Sequence, residues 1–218
     1  MSQRKRILIN HLSAPANKIT GITNYLFFLL DELLKNQDFE YILLTCWNQK
    51  ELPEMLNNRG LQVITEKEIQ SQPFALLRQH LLIPKLIKEY KIDLEFVPSP
   101  GGCLFSLHPR IIVVHDLYMK VLKEHYKPMH RLWWNLFFPI KARTAKQIIC
   151  VSKNTENDLH EYYPYTKNKS IAIPNGPCLK ADENYQMENK ENFGVFVANV
   201  TPNKGAKTLI GVMIISGV

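Results

Sequence analysis

The chain predicts a doubly wound, Rossmann-like α/β domain built on a parallel sheet, and three observations predict it. Short β-branched runs alternate with longer stretches whose apolar residues recur at helical spacing. Polar or Pro/Gly-rich turns follow the runs. One run, Arg110 to Val114, is almost purely β-branched, as expected of a strand covered on both faces.

The first run, Arg6 to Asn10, leads through a loop from His11 to Thr20 into a helix carrying Ile22, Tyr25, Leu26, Leu29, Leu30 and Leu33 on one side. Tyr41 to Cys46 is the second strand. A helix stopped by Gly60 and a short strand from Leu61 to Thr65 follow it. From Phe74 to Tyr90 leucines and isoleucines return at helical spacing. Ile92 to Val97 is then a strand, ended by Pro98 and the turn Pro100, Gly101, Gly102. After Arg110 to Val114, a helix from about His130 to Ala145 leads to the strand Gln147 to Val151, and Ser152 caps the next helix. Lys169 to Ile173 closes the series ahead of Pro174, Asn175 and Gly176. Pro177 to Asn192 turn polar and acidic without apolar periodicity and read as a linker. Phe193 to Val200 is a new strand, followed by a turn from Thr201 to Gly205 into a helix.

A chain of 218 residues with 45% apolar and 10% aromatic residues buries a full core, which excludes a disordered chain. The apolar run after the basic start is cut short by Asn10 and His11, so no secretory signal forms. No stretch approaches the roughly 20 apolar residues that cross a bilayer. Cys46, Cys103, Cys150 and Cys178 are scattered without a CxxC pair, which fits reduced thiols in a cytoplasm. A formal charge of +7 implies an anionic partner: nucleic acid, a phosphorylated ligand or an anionic lipid surface.

Four constellations can carry chemistry. Gly21 ends the loop after the first strand and opens a helix, where free N–H groups can meet a phosphate, although a plain strand-to-helix turn reads the same way. His115 and Asp116 emerge at the end of an apolar strand, where α/β folds place working side chains. A histidine there can bond a sugar hydroxyl, or the pair can simply satisfy loop backbone. Lys204 and Gly205 put a cation at a helix start without forming a Walker loop. The stretch Arg131 to Phe138, with Lys141, Arg143 and Lys146 behind it, joins aromatic and basic residues. It suits a membrane surface, a lipid-linked acceptor, or a core helix with a basic outer face. The remaining histidines show no metal-ligand spacing, and no metal is expected. No OB, RRM or KH signature supports nucleic-acid binding.

Taken in order, several segments resemble the glycosyltransferases group 1 family, the retaining GT-B enzymes of glycosyltransferase family 4. Ala145 to Ser152 (AKQIICVS) with Asn157, Asp158 and Leu159 is similar to the family's A-D-x-I-I-x-V-S … x-D-L segment. Ile173 to Gly176 is similar to its I-P-N-G. Phe196 to Gly205 (FVANVTPNKG), followed by Thr208 to Ile210, resembles F-V-G-R-L-x-P-x-K-G … L-I, and Val114 to Leu117 resembles x-H-D-L. The resemblance extends over nearly the whole chain, to about Ile210.

It implies two Rossmann-like domains facing across a cleft, with a nucleoside diphosphate sugar held mainly by the second and no essential metal or cofactor. Lys204 matches the lysine at the donor diphosphate, His115 the histidine near the donor sugar and hence the catalytic candidate, and Gly21 the glycine that approaches the donor phosphates. Asn199 stands where the family has arginine and leaves only an amide there. His11 and Asp116 are acceptor-side candidates, and the acceptor is expected to be a saccharide or a lipid-linked saccharide.

The expected division is an N-terminal acceptor-side domain at residues 1–176, a linker at 177–192 and the start of a donor-binding domain at 193–218. The E-x7-E segment has no counterpart, and residues 211–218 lack a polar helical face. The second domain is therefore expected to be largely missing and the chain to be an incomplete enzyme. It would act as a cytoplasmic protein, soluble or peripheral at the inner face of the membrane. The alternatives are a non-catalytic module that binds an acceptor or partner, or half of a split enzyme completed by a second chain. Nucleic acid is not expected as a partner.

Overall fold

The structure, a computed structural model, describes residues 4–57, 59–176 and 210. The linker, the strand expected from Phe193, Asn199, Lys204 and Cys178 lie outside the described residues.

Seven parallel strands form one sheet in the order β3-β2-β1-β4-β5-β6-β7. In chain order they are β1 (Lys5–Asn10), β2 (Phe39–Thr45), β3 (Gln62–Thr65), β4 (Leu94–Val97), β5 (Arg110–Val114), β6 (Gln147–Cys150) and β7 (Ser170–Ala172). The helices are α1 (Gly21–Leu33), α2 (Gln72–Tyr90), the short α3 (Tyr118–Val121), α4 (Pro128–Thr144) and α5 (Lys153–Tyr162).

Alternation along the strands sends side chains to two covered faces. Ile9, Leu43, Phe96 and Val113 meet Leu26, Phe27 and Leu30 of α1 on one face. On the other, Leu8, Ile42 and Leu44 meet Ile83 and Leu86 of α2. Beside them Val97, Ile112 and Ile148 meet Phe138 and Ala142 of α4 and Leu159 of α5. The expected sheet and its covering helices are therefore present. As expected, Ser152 caps α5, its hydroxyl accepting from the Thr155 N–H at 3.0 Å.

The helix expected before Gly60 is not formed. Two single 3-10 turns, Gln49–Glu51 and Glu54–Leu56, stand in its place. Pro53 has no N–H to give the carbonyl of residue 49, so a continuous α-helix cannot pass through it. Leu52 and Leu56 still reach the core beside Trp47. Gly60, at φ 76°, does end the segment.

The crossover from β4 to β5 carries no helix. Residues 98–109 run as an irregular loop pinned between α2 and α4: the Cys103 thiol donates to the Gln79 carbonyl at 3.0 Å, and the Thr144 hydroxyl donates to the Leu104 carbonyl at 3.2 Å. Cys46, Cys103 and Cys150 are buried and unpaired. Among the described residues no helix is long and apolar enough to cross a membrane.

Candidate functional site

From β1 the chain turns toward β2, and from β4 it turns the opposite way toward β5, so the loops at their C-terminal ends part and leave a crevice. A cleft of about 510 Å³ occupies this point, between Ser13 and Pro15 after β1, Pro100 to Gly102 after β4, Gln79 of α2, and Trp133, Phe137 and Lys141 of α4. The two loops press together at Gly101, where an added Cβ would lie 2.1 Å from the Ser13 hydroxyl oxygen. Gly102 takes φ 79°, a conformation that favours glycine.

Two aromatic rings, Trp133 and Phe137, meet edge to face at 4.2 Å and form one wall of the cleft. At its base the Lys141 ammonium donates to the Pro100 carbonyl at 3.1 Å. Burial, reinforced by nearby Arg110, brings its pKa down to about 8. Beneath it Glu95 and Arg110, paired in register on β4 and β5, are both fully buried. Asn10 donates to Glu95 Oε1 at 2.9 Å and to Gln79 Oε1 at 3.2 Å. Arg110 donates to the Cys103 carbonyl and, at 2.7 Å, to the Thr144 hydroxyl. Burial raises the Glu95 pKa, against the pull of Arg110.

His115 stands just past β5. Its Nε2 lies 2.8 Å from the Pro98 carbonyl, and the Tyr25 ring of α1 meets it edge-on at 5.1 Å. A carbonyl only accepts, so Nε2 carries the proton. Burial lowers the pKa and keeps the ring neutral at pH 7, which leaves Nδ1 as an acceptor for a hydroxyl.

Gly21 opens α1 behind Thr20, whose hydroxyl accepts from the Thr23 N–H at 3.1 Å. An added Cβ at Gly21 would meet nothing within 4 Å. The residue borders a groove of about 250 Å³ whose far side is Ile173 to Gly176. Two segments far apart in sequence are thereby brought together.

His11 is 1% exposed; its Nδ1 lies 3.2 Å from the Thr45 hydroxyl, and its Nε2 has no partner among the described residues. Burial lowers its pKa to about 4. It borders a small cavity with Ser13, Thr20 and Ser99. Asp116 closes the turn ahead of α3, its carboxylate accepting from the Tyr118 N–H two residues on at 3.1 Å. Asn199 and Lys204 lie outside the described residues.

The Glycosyltransferase Family 4 profile matches residues 19–177. The chain belongs to Glycosyltransferase Family 4. This Family 4 chain is 30% identical over 210 residues to an uncharacterized glycosyltransferase of Methanocaldococcus jannaschii, an alignment covering 88% of this chain and 52% of the relative. The chain thus spans about half the length of the curated relative it matches. In fold it is similar to a glycosyltransferase from Rickettsia africae, with TM-score 0.55 and 18% identity over 80% of this chain and 44% of that one. It is also similar to the Anabaena protein HepE, crystallised with UDP and glucose, with TM-score 0.50 and 18% identity over 80% and 45% of the two chains. A UDP-N-acetylglucosamine 2-epimerase gives TM-score 0.54 at 11% identity over 79% and 49%. These likenesses establish the fold as one half of a GT-B structure.

Sequence reasoning singled out His115, Gly21 and the aromatic and basic stretch of Trp133, Phe137 and Lys141, but it did not join that stretch to Ser13, Gln79 and Gly101 in one cleft, nor place Tyr25 beside His115. The usable signal was the Pro100–Gly102 turn directly after a strand, which marks a loop at the sheet's C-terminal edge.

Proposed function

We propose that this chain is the acceptor-side half of a nucleotide-sugar-dependent glycosyltransferase that transfers a hexosyl or related residue to a saccharide or lipid-linked acceptor. The observation that carries the reading is the neutral imidazole of His115, held at a β-strand end with Nδ1 free to accept from a sugar hydroxyl. Gly21 and the open first turn of α1 lie near it through Tyr25 and suit the approach of a diphosphate. The complex of HepE with UDP and glucose supports a nucleoside diphosphate sugar as donor. Asn199 and Lys204 complete the diphosphate contacts in this reading. The acceptor lies in the large cleft, a sugar ring against Trp133 and Phe137 and an acidic or hydroxyl group toward Lys141. His11, in the small cavity that shares Ser13 and Ser99 with that cleft, and Asp116, in the turn before α3, are the further acceptor-side residues in this reading. Three buried, unpaired cysteines fit a cytoplasmic protein.

The test is calorimetric titration of the 218-residue chain with a panel of nucleoside diphosphate sugars and, separately, of saccharides and lipid-linked saccharides. Release of free nucleoside diphosphate is followed in the same samples. We expect saturable saccharide binding that Trp133→Ala weakens, and nucleotide-sugar binding that His115→Ala weakens about tenfold. Saccharide binding without any nucleotide-sugar response would favour a binding module. Steeply salt-dependent binding of oligonucleotides, with no response to either sugar class, would overturn the reading.

A further inference from the structure

α2 and α4 cover the same face of the sheet on either side of β4, with the loop of residues 98–109 between them. Their outward sides follow one layout. On α2, Phe74, Leu77 and Leu81 are exposed, Leu81 at 70%, followed on the same stripe by Pro84, Lys85 and Lys88. On α4, Met129, Leu132 and Leu136 are exposed at the same offsets, followed by Pro139 and Arg143. Between the helices Phe105 is 66% exposed and Leu107 fully so. Large apolar side chains on three neighbouring segments thus project outward from one layer, where a protein surface ordinarily scatters them singly.

The charge on this layer is one-sided. Across Gln72 to Tyr90, Pro98 to Pro109 and Lys127 to Lys146, Glu89 is the one acidic residue, while Lys85, Lys88, Lys127, Arg143 and Lys146 stand exposed. Arg143 also lies over the Tyr165 ring, 4.4 Å from its centroid. The apolar residues occupy the N-terminal halves of both helices, at the end of the sheet where the cleft opens, and the cations Lys85, Lys88 and Arg143 follow toward the other end. Apolar projections followed by long basic side chains suit the boundary between acyl chains and anionic headgroups.

We propose that the face formed by α2, residues 98–109 and α4 is a docking surface for an anionic lipid bilayer. The N-terminal halves of the two helices and the loop tip enter the headgroup boundary, and the lysines and arginine meet the anionic headgroups. The surface stands independently of the transfer reaction. It brings the large cleft beside the bilayer, because Gln79, Gly101 and Trp133 of these same three elements line it.

The experiment is flotation of the full chain with vesicles of phosphatidylcholine alone and of phosphatidylcholine mixed with phosphatidylglycerol, at low and high salt. Expected is binding to the anionic vesicles that falls with salt. The variants Phe74→Ser/Leu77→Ser/Leu81→Ser and Met129→Ser/Leu132→Ser/Leu136→Ser should each bind about tenfold or more weakly. Lys85→Ala/Lys88→Ala should reduce the preference for anionic lipid, whereas Ile171→Ser, on the exposed edge strand β7, should leave binding unchanged. Since every substituted side chain is exposed, circular dichroism and thermal unfolding should match the parent, so lost binding reports the surface. No binding to anionic vesicles, or binding indifferent to both triple substitutions, overturns the proposal. Self-association in sedimentation velocity that the same substitutions abolish, without vesicle binding, overturns it in favour of contact between copies of the chain.

Discussion

His11 costs the fold something that depends on pH. Its ring is neutral down to about pH 4 in the folded chain, whereas the unfolded chain takes up the proton near 6.5. Between those values the unfolded state holds more protons, so stability falls as pH is lowered through that window and falls no further below it. The size is on the order of 3 kcal/mol. Glu95, whose pKa is raised by burial, acts in the opposite direction, so the comparison must be with a variant. Urea unfolding of the chain and of His11→Asn at a series of pH values between neutrality and the folded pKa should show the variant losing less stability. Equal slopes would mean that the ring takes its proton in the folded state and that burial does not hold it neutral.

The element that most shapes the site is the loop of residues 98–109, because no helix fills the crossover from β4 to β5 and side chains must hold the backbone instead. Arg110 does much of this, binding the Cys103 carbonyl and the Thr144 hydroxyl from a fully buried position beside Glu95. Arg110→Met should destabilise the chain by about 3 kcal/mol, since it removes both bonds and leaves Glu95 without its nearby cation. The double variant Arg110→Met/Glu95→Gln should recover part of that loss in denaturant titrations. A single variant as stable as the parent would show that the loop is held by other contacts. The same contrast explains what was legible in the sequence. β5 and the helix carrying Leu26 and Leu30 were legible because burial writes itself as local periodicity. The segment before Gly60 misled because Leu52 and Leu56 keep helical spacing around a proline that forbids the helix. His115 was legible as a polar residue ending an apolar strand. The stretch of Trp133, Phe137 and Lys141 was legible as aromatic and basic together, but the cleft it borders was not, because that cleft is assembled from four segments whose meeting no local pattern records.

At the scale of the molecule, the seven strands of the described residues and the helices that cover them all fall between Lys5 and Ala172, well before Asn192. Truncation after Asn192 is expected to preserve a single cooperative unfolding transition, with Tm within about 4 °C of the parent. Loss of that transition in calorimetry would place part of the core beyond Asn192. The order of the strands also governs how the chain is made. Of the seven strands β1 leaves the ribosome first, yet it ends in the interior of the sheet, paired with β2 on one edge and with β4 on the other. β2 arrives by Thr45, but the second edge, Ile7 to Ile9, has no partner until Leu94 to Phe96 emerge. Throughout that interval a nascent three-stranded half carries an apolar, unpaired inner edge, so the time of greatest exposure to misassociation falls between the emergence of β3 and that of β4 and ends when β4 docks.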